Sequence, residues 1–370
     1  MCDYDATLLT EALYLRHTTS NLLLIAALAL LSFAPAAFAQ NAPAALASLP
    51  EADMLIYVSP QRILNDAAPR VITPAEITKM RAAFADIKKS IGVDPATIEY
   101  LVIAVRFHKP ASDLSFVAPD VMAVLGGDFS SDSLMTLGQL YLQDKLRVEK
   151  HGTKSISVMR IDEVARQAEK NAIFKPYVEL GAVPLSANSF AIGNLRYLKS
   201  AVDAAEGNGR INPAAIESLM RDPNALIAAS GAPLAALARS FGLLGLENTT
   251  RESRCDTNLG NFYTAVTMNG TNFSLRGAMN ADNPDTAKII HGLLSGLMQQ
   301  GISAVPDKNA QTILQSLKMT PKDNEIVWEA DIPEKTVADF IKSPPKITSE
   351  TTKPSPSTPP RRPVKRKRTR

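Results

Sequence analysis

The run F-Y-T-A-V-T-M from Phe262 to Met268, then Asn269-Gly270, then N-F-S-L-R-G-A-M from Asn272 to Met279, is the segment on which the fold turns. Two stretches rich in β-branched and aromatic residues flank an Asn-Gly pair, which supplies the positive backbone angles of a tight two-residue turn. The segment reads as a β-hairpin, and a hairpin makes its part of the sheet antiparallel. Further along, Asn283-Pro284-Asp285 opens a helix on which Ile289, Ile290, Leu293, Leu294, Leu297 and Met298 form one apolar stripe. Beyond it, Leu317 to Met319 and Glu325 to Ala330 read as a last hairpin, which runs through Pro333 into a closing helix ending near Ile341.

The same order of elements is legible upstream. Met54 to Val58 is an apolar strand leading into a short helix from Pro60 to Leu64, much as Ala225 to Ala229 leads into a helix from Pro233 to Phe241. Thr73-Pro74-Ala75-Glu76 offers a side-chain cap, a proline at the first helical position and a glutamate placed to complete a capping box. The helix that follows carries Ile77, Met80, Phe84, Ile87 and Ile91 on one face, and Gly92 is placed to end it. Leu101 to Phe107 and Val121 to Leu125 read as neighbouring strands, followed by a helix at about Ser133 to Leu142. Strands around Leu146 to Lys150 and Ser155 to Met159 flank the His151-Gly152 turn, and Ser189 to Ile192 passes through Gly193-Asn194 into a helix reaching Ala205. Aligning 54–206 with 225–341 sets like elements against like, so the chain is expected to be α+β: two similar halves, each with a mainly antiparallel sheet covered by helices.

The two ends differ from this body. Asn21 to Phe33 is an uncharged apolar run of 13 residues, short of the about 20 that span a bilayer as a helix, and Pro35 interrupts it. Ala37 and Ala39 then frame A-F-A before Gln40, so the front end reads as a secretory signal cleaved after Ala39. The leading stretch carries Asp3, Asp5 and Glu11 against Arg16, which fits a translation start near Tyr14 better than one at Met1. The expected organisation is a signal at 1–39, a linker at 40–48, halves at 49–210 and 211–342, and a disordered Pro-rich basic tail at 343–370. Charge divides the same way, since 1–40 sum to −2, 41–340 to −4 and 341–370 to +9. Cys2 and Cys255 are the only cysteines, so a chain that has lost its signal has no partner for an internal disulfide.

The opening L-P-E-A-D-M-L-I-Y-V at Leu49 to Val58 and the element F-A-I-G-N-L-R-Y-L-K-S-A-V-D-A at Phe190 to Ala204, together with the exported two-halved body, resemble a loose group of secreted bacterial proteins of unknown function. The resemblance spans roughly residues 40–340 and implies fold and extracytoplasmic compartment. It carries over no catalytic residues.

No G-x-S-x-G elbow, phosphate-cradling Gly-rich loop, H-E-x-x-H or C-x-x-C occurs, and the histidines His108, His151 and His291 are far apart in sequence. No metal site or cofactor is expected. His291 reads as a space-filler at its helix edge; His108, beside Arg106 and Lys109, reads as a solvated loop residue, with an anion contact as the alternative. Cys255 has Arg251 and Arg254 beside it, which favour the thiolate, so it is the candidate reactive thiol. Gly126-Gly127-Asp128 and Gly193-Asn194 put flexible backbone at strand ends and read as chain reversals or helix starts, with an anion cradle the minor reading.

The tail is the segment with the clearest physical property. Seven prolines among the 27 residues from Pro344 onward leave nothing to build a core. Arg361, Arg362, Lys365, Arg366, Lys367, Arg368 and Arg370 then place seven positive charges in ten residues, a cluster that attracts polyanions with an affinity that falls as salt rises. The function expected is that of a periplasmic or secreted non-enzymatic protein that binds a partner or ligand and uses its basic tail on anionic envelope surfaces. The alternative is an extracytoplasmic hydrolase whose site is assembled from scattered carboxylates.

Overall fold

The structure is a computed structural model, and it describes residues 45–108, 119–142, 145–160, 179–232, 260–305 and 308–342. The expected signal, most of the linker, the helix from Pro233, Cys255 and the whole tail lie outside the described residues.

Among the described residues, twelve strands make one sheet. They are β1 Met54–Val58, β2 Ile98–Arg106, β3 Asp120–Gly127, β4 Leu146–His151, β5 Lys154–Arg160, β6 Glu179–Ser186, β7 Ser189–Asn194, β8 Ile227–Gly231, β9 Phe262–Asn269, β10 Asn272–Asn280, β11 Lys318–Lys322 and β12 Glu325–Pro333. Their order across the sheet is β11-β12-β10-β9-β8-β1-β2-β3-β7-β6-β5-β4, with every neighbouring pair antiparallel. The fold is α+β, as expected. Instead of one sheet per half, however, β1 pairs with β8 from Met54↔Gly231 to Val58↔Ile227 and joins all the strands into a single sheet.

The helices are α1 (Pro60–Arg62, a π-helical Ile63–Ala67 and Ala68–Val71), α2 Pro74–Ile91, α3 Ser131–Leu142, α4 Leu195–Ala205, α5 Pro213–Leu219, α6 Pro284–Ala304, α7 Lys308–Ser316 and α8 Glu334–Lys342. Strand alternation sorts them onto two faces. Leu55 and Tyr57 point to the same side as Val102, Met122 and Val183, where Tyr197, Leu198, Ala201 and Val202 of α4 and Ile216 and Leu219 of α5 bury them. We call this the α4 face. Ile56 and Val58 point the other way, with Phe273, under Ile63, Ala67 and Val71 of α1 and Val337, Ala338 and Ile341 of α8. On that α1 face, too, Met279, Ile326 and Trp328 pack under Ala287, Ile290 and Leu294 of α6. The closing helices of the two expected halves, α4 and α8, therefore cover opposite faces, and the halves contribute seven and five strands.

Local signals are realised with some shifts. Thr73 caps α2 by accepting from the Glu76 N–H, the Glu76 carboxylate accepts from the Thr73 N–H at 2.9 Å, and Gly92 ends the helix at φ 71°. Asn283 accepts from Thr286 N–H at 2.8 Å to cap α6. In the hairpin from which the fold was read, Asn269 pairs with Asn272, so the turn is Gly270-Thr271 and only Gly270, at φ 58°, is left-handed. Glycine at the first central position is the requirement of a II′-type turn, which displaces the expected Asn-Gly turn by one residue. Strand β6 is an addition to the expected set: it carries Pro184, which pairs with Phe190 of β7, while the β5–β6 ladder ends at Ser157↔Ala182. A missing N–H costs little where the ladder on that side has already ended.

Candidate functional site

Two places merit a functional reading, and the first is polar. At the end of the sheet where β2 finishes and β3 begins, Asp120 is the only charged side chain that is buried among the described residues. Its Oδ2 lies 2.5 Å from His108 Nε2, and its Oδ1 accepts from Arg196 Nη2 at 2.9 Å and from Asn194 Nδ2. Asn194 Oδ1 in turn accepts from the Val121 N–H at 2.8 Å. Next to this group, Asp53 accepts from the Phe107 N–H at 2.7 Å, and Arg106 approaches Glu51 to 3.6 Å. The Tyr197 hydroxyl donates to the Glu51 carbonyl at 2.9 Å. Burial above all pushes that hydroxyl well above the usual tyrosine range, Arg106 opposes the shift, and the carboxylates of Asp120, Asp53 and Glu51 reinforce it. Tyr197 thus stays a neutral donor.

This group fastens three elements together: the end of β2, the start of β3 and the first turn of α4. His108 is accordingly part of a buried-carboxylate clasp instead of a solvated loop residue. A carboxylate that already accepts from an imidazole, a guanidinium and an amide has little left with which to act as a base.

A second lacing holds the outer hairpin β4–β5. Arg147 reaches Glu179 at 2.5 Å and Glu149 at 3.1 Å, Lys199 of α4 contacts Glu149, and His151 meets Asp203 of α4 at 2.8 Å. Glu206 accepts from the Thr153 N–H at 2.7 Å and its hydroxyl at 2.6 Å, and these bonds hold its carboxyl below the usual range. These groups are exposed or half-buried, and their work is to dock the hairpin on α4.

His108 follows the end of β2, His151 ends β4 and His291 lies in α6, and no group of three or more metal-ligating side chains assembles among the described residues. His291 lies in the inner stripe of α6, with its Nε2 3.1 Å from the Met319 carbonyl oxygen and 3.3 Å from Ser295 Oγ. The Gly126-Gly127 pair lies within β3 and serves close packing: a Cβ on Gly126 would stand 2.1 Å from Tyr100 Cζ, and one on Gly127 2.2 Å from the Thr97 carbonyl oxygen. Cys255 and the seven basic residues from Arg361 to Arg370 lie outside the described residues.

The second place is apolar, and sequence periodicity did not single it out. Across β2, β3 and β7 the α1 face presents Ile103, Val121, Ala123, Leu125 and Ile192, outside every buried cluster, with Ile192 exposed. Helix α3 lies over the outer part of this face, where Gln139 Nε2 reaches Ser157 Oγ at 3.4 Å. Its Leu140 remains 62 % exposed, and on α6 Ile289 and Leu293 are 73 % and 57 % exposed. The opposite face is polar where the second half leaves it open: Arg276 bonds Asp331 at 2.9 Å, and Ser274 bonds the same carboxylate at 2.9 Å. The middle of the α1 face, across β2, β3 and β7, is thus aliphatic. Aliphatic area of that kind is contact surface and supplies no reacting groups.

Among the described residues no helix is long and apolar enough to cross a membrane. No protein-family model matches the chain, and no curated protein matches it. Among solved structures, crystal form III of TP0453 is similar at 11 % identity and a TM-score of 0.40, covering 80 % of this chain and 97 % of that one. Crystal form I of the same protein gives 12 % identity and a TM-score of 0.37, covering 80 % of this chain and 96 % of that one. Likeness at this level is too distant to bear on function.

Proposed function

We propose that this chain is an exported, non-enzymatic binding protein of the bacterial envelope, periplasmic or secreted, released from its signal after Ala39. In this reading the body at 49–342 binds a partner or ligand, and the tail at 343–370 tethers it to anionic surfaces. The observation that carries the reading is a contrast: the single buried carboxylate among the described residues, Asp120, is engaged by three side chains, while outward-facing aliphatic residues stand open on the α1 face. Catalysis by carboxylates needs at least one that is free to accept a proton. Binding needs only exposed apolar area of adequate extent.

The tether is supported by the +9 charge of 341–370 and by the lack of apolar side chains there beyond Ile341, Ile347 and Val364. Retention of the chain from Gln40 to Arg370 on heparin or on anionic liposomes is expected to vanish at high salt and on truncation after Ser343. Equal retention by the truncated chain removes the tether from the proposal.

A further inference from the structure

Among the described residues the sheet ends in β11 on one side and in β4 on the other, with no strand beyond either. An open edge offers unpaired amides and carbonyls to another chain, and the two edges treat that offer differently. On β11, Lys322↔Glu325 closes a two-residue turn and so exchanges hydrogen bonds; by alternation Pro321 is a residue whose backbone faces away from β12. Proline has no N–H to offer there, and Lys318 and Lys322 stand on the same short strand, so this edge is blocked.

Strand β4 has neither a proline nor a bulge. Its turn is Gly152-Thr153, closed by His151↔Lys154, and the same alternation turns the backbone groups of Leu146, Val148 and Lys150 away from β5. Val148, the middle one of the three, is 55 % exposed. We propose that β4 is a self-pairing edge, to which a second copy of this chain adds its own β4 antiparallel about a two-fold axis at Val148. In that register Val148 meets its counterpart and Leu146 meets the partner's Lys150, so every outward amide and carbonyl of these three residues finds a mate. The same register sets Arg147 directly opposite the partner's Glu149, once on each side of the axis.

Charge complementarity is what selects a second copy as the occupant. Opposite charges directly across an antiparallel pair stabilise it, and like charges destabilise it. An axis at Lys150 would set two lysines face to face, and one at Leu146 would carry Lys150 past the end of the partner strand. Only the axis at Val148 pairs the whole strand and matches its charges. Arg147, Glu149, Glu179 and Lys199 are already linked within each copy, two positive and two negative, so bringing two such groups together adds no net repulsion. One pair of short strands buries less than the about 800 Å² per partner of a standard interface, so the association is weak, and with β11 blocked it closes at two copies.

Sedimentation equilibrium of the chain from Gln40 to Arg370, between about 5 and about 500 µM, is expected to show monomer and dimer in exchange and nothing larger. Val148→Lys and Val148→Glu each set like charges at the axis, and each should weaken the dimer about tenfold or more. An equimolar mixture of the two should associate again as a heterodimer, because lysine then faces glutamate. A second reading needs no substitution: in the unaltered chain the amides of Leu146, Val148 and Lys150 should exchange with solvent more slowly at the higher concentration than at the lower. A chain that stays monomeric throughout overturns the proposal, as does a dimer indifferent to both substitutions. Variants that separate and do not associate on mixing, or a dimer in which those three amides exchange as they do in the monomer, overturn it as well.

Discussion

Asp120 shows how a single side chain can organise the end of a sheet. The carboxylate is out of water, and its compensation comes from His108 at the end of β2 and from Asn194 and Arg196 at the β7–α4 junction. Removing the carboxylate leaves a guanidinium and an amide facing an empty site, and breaking a buried charged network from one side costs about 3 kcal/mol. Asp120→Ala is therefore expected to lower stability by about that amount, read as a drop in the urea midpoint with an unchanged slope. An unaltered midpoint would show that the clasp is ornamental. In the sequence His108 was visible beside Arg106 and Lys109, but its partner lies twelve residues on, across the β2–β3 connection. Nothing in the spacing pairs them, because the pairing is a product of strand register.

At the scale of elements, the signals that were legible were those whose chemistry is local. The capping box of α2, the Gly92 stop and the Asn283 cap all depend on residues within four positions of one another. Strand β6 was not legible, because Pro184 disqualifies it by any local rule and is tolerated because it lies beyond the end of the β5–β6 ladder. The β4–β5 hairpin is held to α4 by exposed polar bonds, and its stability should follow pH accordingly. The Glu206 carboxyl is held low first by the Thr153 hydroxyl and then by the Thr153 N–H. A folded-state value below the unfolded one contributes stability above the unfolded value, and that contribution is lost as pH falls through the folded one. Glu206→Gln should thus melt below the parent chain at pH about 7, and the difference should close as pH falls through the lowered folded-state value and the parent itself becomes neutral. A difference that persists at the acid end would assign the effect to shape instead of charge.

At the scale of the molecule, the choice lies between two bodies side by side and one continuous sheet. The repeat of element order in 54–206 and 225–341 favoured the first, and order along the chain could not reveal that β1 and β8 would pair edge to edge. Once they pair, Leu55 and Trp328 become parts of one object although they lie in separate clusters on opposite faces, with four steps of strand order between β1 and β12. Trp328 is the only tryptophan, so its fluorescence reports unfolding in the second half alone. Leu55 is fully buried in the first. Truncating a buried leucine to alanine costs about 3 kcal/mol. If the sheet unfolds as a unit, Leu55→Ala must lower the midpoint read at Trp328 in step with that read by far-UV circular dichroism. A Trp328 transition that stays where it was, while the dichroism splits into two steps, would mean that the β1–β8 seam opens first and that each half holds its own core.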